Sequence, residues 1–99
     1  VEFLVDMVTT APRGTSDDGV ADMRGREAAR SAELAAQGSL LRLWRPPLGP
    51  GEWRTWGLFQ ADDADELEVV LASMPLRAWR RETVTPLTPH PNDPGQPPR

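Results

Sequence analysis

The chain has 99 residues and a formal net charge of -4, which suits one small domain whose core is barely large enough to stand alone, so self-association is expected. All eleven basic residues are arginine, and cysteine and tyrosine are absent. Disulfides, thiolate metal sites, cysteine nucleophiles, Schiff-base lysines and a tyrosine acid are therefore excluded. The acidic balance without any basic run argues against a nucleic-acid partner. No stretch approaches the roughly 20 apolar residues of a membrane helix, and no basic-then-apolar leader opens the chain, so a soluble, cytoplasmic protein without membrane contact is expected. Proton transfer is left to Asp, Glu, the single His90 or a polarised hydroxyl, with arginine available to bind anions.

Val1 to Val8 reads as a strand, with Phe3, Val5 and Met7 on one side and Glu2, Leu4 and Asp6 on the other. It ends at the turn signal Ala11-Pro12-Arg13-Gly14. Ser16 to Gln37 follows as an amphipathic helix, with Thr15, Ser16 and Asp17 as possible N-caps and Gly38 as the stop. Gly19 and Gly25 weaken it by up to about 1 kcal/mol each relative to alanine. Ser39 to Arg45 is a second strand, placing Leu41, Leu43 and Arg45 on one face and Leu40, Arg42 and Trp44 on the other. Pro46, Pro47, Gly49, Pro50 and Gly51 interrupt the chain before a third strand, Glu52 to Gln60, carrying Trp53, Trp56 and Phe59. The short link favours an antiparallel hairpin. Asp62 or Asp63 then caps a second helix whose Leu67, Val70, Leu71 and Met74 keep helical spacing until Pro75.

Ala78 to Thr85 makes a fourth strand, and prolines 89, 91, 94, 97 and 98 mark an extended arm that cannot build a core. The order strand, helix, strand, strand, helix, strand is the α+β, ferredoxin-like βαββαβ pattern, one antiparallel sheet with both helices on one face. Residues 1–91 form the expected single domain and 92–99 a Pro-rich tail. Large apolar side chains left on the other sheet face are most simply covered by a second subunit.

Glu27 is the chemically informative residue. On the first helix Val20, Met23, Glu27, Ser31 and Leu34 share one face, so a carboxylate is aimed at the core. A buried carboxylate either finds a cationic or hydrogen-bonding partner or is driven toward its neutral form, and the second outcome suits acid/base work near neutrality. Arg24 or Arg30 could supply a structural partner. Arg45 shares a strand face with Leu41 and Leu43 and is placed either to neutralise Glu27 or to hold a ligand carboxylate bidentately. Trp44 and Trp56, on neighbouring strands, serve as a pocket wall or as core and interface anchors. His90 lies outside any regular element, and a lone histidine without cysteine is a poor metal candidate, so no metal is expected. Asp62, Asp63 and Asp65 read as a capping cluster, and Arg80-Arg81 as a solvated strand edge.

The ordered set Phe3-Leu4-Val5-Asp6-Met7, Arg26-Glu27, Glu33-Leu34, Leu43-Trp44-Arg45, Asp65-Glu66-Leu67, Met74-Pro75-Leu76 and Val84-Thr85-Pro86-Leu87 with His90-Pro91 resembles the muconolactone isomerase family from about Val1 to Pro91. The resemblance implies a ferredoxin-like, dimeric α/β-barrel type of assembly that builds into larger homo-oligomeric rings. It also implies a cofactor-independent isomerase that shifts a proton and double bond in a small unsaturated lactone, in the breakdown of aromatic compounds. Glu27 falls on the family's helix glutamate, the implied proton shuttle, and Arg45 on the arginine implied to bind the carboxylate or stabilise the enolate. Arg24, Trp44, Trp56 and His90 are the candidate substrate contacts, with His90 on the tail able to reach a neighbouring subunit. The chain departs from the family pattern, which has lysine where Ala28 stands and Trp-Arg-His where Leu40, Leu41 and Arg42 stand, so charge is lost. That apolar shift supports a second reading, a cyclase or dehydratase acting on a bulkier natural-product ring. A third reading is a non-catalytic binding protein with a buried Glu27–Arg45 pair.

Overall fold

A computed structural model describes residues 1–95, and the last four residues of the tail expected at 92–99 lie outside the described part. The elements are strand β1 (Glu2–Thr9), helix α1 (Asp17–Ala36), strand β2 (Leu40–Trp44), strand β3 (Arg54–Gln60), helix α2 (Ala64–Ala72), a 3-10 helix (Pro75–Trp79) and strand β4 (Arg80–Leu87). The strands form one antiparallel sheet in the order β2-β3-β1-β4. Its core unites Phe3, Val5 and Met7 of β1 with Leu34 of α1 and with Leu67 and Leu71 of α2. Both helices therefore cover the same sheet face, the ferredoxin-like arrangement.

Local chemistry explains the helix ends. Ser16 caps α1 by accepting the Gly19 N–H at 3.0 Å, and Asp63 caps α2 by accepting the Glu66 N–H at 2.8 Å. At the far end of α1, Gly38 adopts φ +83, where a side chain would be strained. That conformation lets the Gly38 and Ser39 amides donate to the carbonyls of Ala35 (3.1 Å) and Leu34 (2.9 Å). Of the predicted helix stripe only Leu34 is fully buried; Val20, Met23, Glu27 and Ser31 are half-buried. The inward face of α1 is thus tight at its C-terminal end and open in its middle.

Two strands differ from expectation. In β2 the register slips between Leu40, opposite Phe59, and Arg42, opposite Leu58. This bulge inserts one residue, so Leu40 and Leu43 share the helix-facing side, where Leu40 is buried and Leu43, like Leu41, stays exposed. Simple alternation had placed Leu40 outward. The fourth strand starts later than Ala78, because the chain first makes the 3-10 helix after Pro75, and it runs on to Leu87 along the full length of β1.

Gly57 stands between Val5 and Leu43 in the sheet, and its missing side chain lets neighbours converge. A Cβ there would meet the Phe59 ring at 2.7 Å, the Met7 methyl at 3.1 Å and Leu43 at 3.3 Å. Gly57→Ala is expected to destabilise the fold by about 1–3 kcal/mol through overpacking, read by denaturant unfolding.

On the outer face Arg54 grips Asp6 with two hydrogen bonds, at 2.9 and 2.5 Å. The guanidinium holds the Asp6 carboxyl below the usual carboxylate range, against a smaller opposing effect of burial. A carboxyl that is more acidic folded than unfolded stabilises the protein fully above its unfolded value, and this is lost as pH falls through the folded one. Asp6→Asn should therefore lower the melting temperature at pH 7, with the gap to the parent closing as the pH drops below about 4.

Candidate active site

The face of α1 that carries Glu27 packs against the 3-10 helix and the start of β4. Pro75 opens that short helix, and Met74 before it supplies no side-chain cap, so a first-turn N–H is left for an outside acceptor. Glu27 provides it: its Oε1 accepts the Leu76 N–H at 3.0 Å. Its Oε2 accepts Nη1 of Arg80 at 2.7 Å. The Arg80 side chain is 2% exposed and that of Glu27 13%.

The buried carboxylate has therefore found a cation, but neither Arg24, Arg30 nor Arg45. Arg30 donates to Ser73 and Glu33, both at 3.0 Å. Arg24 stacks over the Trp53 ring, 4.0 Å from its centroid. Arg45 is exposed and has no ion-pair or hydrogen-bond partner among the described residues. Arg80 wins because β4 pairs Arg80 with Thr9 and Glu82 with Met7, and both partners point under the helices. The reading of Arg80-Arg81 as a solvated edge is corrected accordingly: β4 is an edge strand, yet its alternation turns Arg80 inward and leaves only Arg81 exposed.

Arg80 makes two further contacts. Its Nε donates to Glu82 at 2.7 Å and its Nη2 contacts the Met74 sulfur at 3.2 Å. Glu82 in turn faces Nε of Arg77 at 3.3 Å, and Arg77 pairs with Glu68. Bonding to Glu68 also raises the affinity of Arg77 for its proton. A row of alternating charges thus runs from the interior to the surface.

Glu27 borders a cavity of about 450 Å³. Met7, Leu43, Met74 and Leu76 make its apolar walls, Ala28 and Ser31 continue the α1 side, and Thr9 and Thr55 come from the sheet. Arg24 and Arg45 also line it, so three of the residues expected from sequence come together. Trp44 and Trp56 do not: they pair on the opposite sheet face and, with Leu4, Pro46, Pro47 and again Arg45, border a separate groove. The tryptophan that walls the cavity is Trp53. Its parity with Thr55, Gly57 and the buried Phe59 was the available signal. His90 is also elsewhere, beside Val1, Glu2 and Gln60, with its Nδ1 accepting the Asn92 N–H at 2.9 Å. Among the described residues, no group of three or more acidic or histidine side chains is placed to hold a metal ion, and no helix is long and apolar enough to cross a membrane.

An antiparallel ferredoxin-like sheet that cups one interior carboxylate and two ligand-accessible arginines against apolar walls defines a small α+β protein suited to acid/base chemistry on an anionic organic molecule. The sequence model for muconolactone delta-isomerase matches residues 1–93. The chain is 30% identical over 90 residues to the muconolactone delta-isomerase of Cupriavidus pinatubonensis, covering 91% of this chain and 95% of that one. It is likewise 30% identical over 91 residues to the enzyme of Rhodococcus opacus, covering 92% and 95%. The chain belongs to the muconolactone delta-isomerase family, a family of isomerases. A crystal structure of muconolactone isomerase superposes with a TM-score of 0.85 at 21% identity over 100% of both chains, which shows the shared fold. A 5-chloro-2-hydroxyhydroquinone dehydrochlorinase from Burkholderia phenoliruptrix, complexed with 2,5-dihydroxybenzoquinone, shares the fold at TM-score 0.66 and 16% identity, over 89% of this chain and 94% of that one.

The ion-pair geometry predicts an asymmetry in stability. Arg80→Met leaves two carboxylates facing a buried gap and should cost about 3–5 kcal/mol, whereas Glu27→Gln leaves Arg80 neutralised by Glu82 and should cost about 1–2 kcal/mol. Urea unfolding at pH 7 measures both.

Proposed function

We propose that this protein shifts the double bond of a muconolactone-type unsaturated lactone without a cofactor, Glu27 moving the proton and Arg45 and Arg24 holding the substrate carboxylate. The observation that carries this reading is the cavity where a fixed, partnered carboxylate meets two arginines that form no ion pair among the described residues.

In the reaction so assigned, Glu27 takes the proton from the ring carbon that bears the carboxymethyl arm. The electron pair spreads through the conjugated system to the lactone's carbonyl oxygen as a dienolate. Glu27, now protonated, returns a proton to the carbon next to the carbonyl, and the double bond ends one position along. One group can act as base and then acid because the two carbons lie on the same small ring. Arg45 stabilises the developing oxyanion or anchors the arm, and the apolar walls strengthen both interactions by excluding water. The exposed outer groove around Trp44 and Trp56, each 38% exposed, supports assembly into a homo-oligomer, a dimer or ring of dimers, with those tryptophans as contact residues. His90, on the arm beyond β4, is assigned to a neighbour's cavity in that assembly. The cytoplasm is the corresponding site of action.

Proton NMR of muconolactone with the protein in deuterated water tests the assignment. The parent should form the enol-lactone with deuterium beside the carbonyl, and Glu27→Gln should slow this at least about 100-fold while staying folded. Arg45→Met should raise KM about 10- to 100-fold, the worth of a charged hydrogen bond. A folded parent that converts nothing rejects muconolactone and directs the search to larger unsaturated rings.

A further inference from the structure

Arg80 and Glu82 belong to neither substrate binding nor the proton shift as described, yet they are among the most deeply enclosed charges near the cavity. We propose that Arg80, braced by Glu82, is a positioning residue that fixes the aim of Glu27. The proposal rests on the reading of Glu27 as the proton shuttle.

Arg80 acts through Glu27 because its enclosed guanidinium is turned to the protein's own groups. Each of its three nitrogens already has a protein acceptor: Glu27 at 2.7 Å, Glu82 at 2.7 Å and the Met74 sulfur at 3.2 Å. At 2% exposure, its plane is set by those three contacts. Arg24 and Arg45, which line the same cavity, are exposed and form no carboxylate pair among the described residues. Arg80 borders the cavity too, but its enclosed side chain grips the protein's own carboxylate, whereas the other two are open to an incoming one.

The grip has a geometric consequence. Arg80 takes one lone pair of Oε2 and the Leu76 N–H one of Oε1, so both oxygens are tethered and the carboxylate cannot swing across the cavity to Arg24 or Arg45. Such a collapse would neutralise the anchor and blunt the base together. One lone pair on each oxygen stays available for the substrate proton. Glu82, its side chain 9% exposed, bonds the other edge of the guanidinium and so shares its charge. A lysine could not span two carboxylates, because its ammonium lacks the planar fork. The charged groups facing Glu27 are Arg24 from its own helix, Arg45 from the end of β2, and Arg80 with Glu82 behind it from β4; Arg77 of the 3-10 helix faces Glu82 and Glu68 instead.

The test uses the full chain with Arg80→Gln, Arg80→Lys and Glu82→Gln, reading two quantities. The first is the position of the Glu27 side chain in crystal structures of the ligand-free variants. The second is kcat and KM for muconolactone. Arg80→Gln should release the Glu27 carboxylate from its parental position and lower kcat about 100-fold with KM within about threefold of the parent, and Arg80→Lys should recover part of the kcat. Glu82→Gln should loosen the Arg80 guanidinium and lower kcat less. A folded Arg80→Gln with Glu27 in its parental position and parental kcat overturns the proposal, as does a loss of thermal stability alone. Should Arg80→Gln fail to fold, Arg80→Lys and Glu82→Gln decide the matter, since an unmoved Glu27 with parental kcat in both sinks it. If the parent leaves muconolactone unchanged, the functional assignment fails separately, and the ligand-free structures still decide whether Arg80 governs Glu27.

Discussion

A guanidinium buried to 2% exposure is intolerable in a small domain unless its charge is met at contact distance, and the cavity end of this molecule is arranged around meeting it. Helix α1 contributes Glu27, β4 contributes Glu82, and the segment after α2 contributes Met74. The same Glu27 caps the 3-10 helix through Leu76, and the end of that helix is tied to β1 by the Thr10 N–H donating to the Trp79 carbonyl at 2.7 Å. One ion pair therefore registers α1, the 3-10 helix and the sheet. The other end of the sandwich needs no such device. There Phe59, Leu34, Leu67, Leu71 and Val5 pack as an ordinary apolar core, and their burial supplies most of the stabilisation.

The division between a packed end and a lined end explains how much could be read from the sequence. Element type and order follow from local signals: alternation in β1, the caps at Ser16 and Asp63, and the glycine at 38 that ends α1. Glu27 was legible because helical spacing fixes direction once one face is known. What escaped were directions set by pairing. The bulge in β2 reverses the alternation and exchanges Leu40 for Leu41, and nothing in Leu40-Leu41-Arg42 marks which residue is extra. Trp53 could have been placed by counting back from Phe59, whereas Trp44 and Trp56 drew notice only for their size. Arg80 escaped because two adjacent arginines suggest water on both sides, although a strand with one covered face must turn one of them inward. Glu82 and Val84, in step with Arg80, were the missed clue.

The unequal footing of the arginines also suits the proposed reaction. A group that must take a proton and return it works best when neither state is overwhelmingly favoured. A carboxylate locked to a lone buried guanidinium would be too reluctant to accept, and one with no cation would leave the charged form unsupported in an apolar setting. Here one guanidinium is shared between Glu27 and Glu82. Arg24 shows the complementary logic at the ligand side. Resting on the face of Trp53, it is held by a cation–π contact worth about 0.5–1 kcal/mol at an exposed site, less than a charge-assisted hydrogen bond to a carboxylate. An arriving anion then displaces an aromatic face rather than an internal acid, and the protein can keep a strong ion pair for its own carboxylate while leaving weaker contacts to be exchanged for the substrate's.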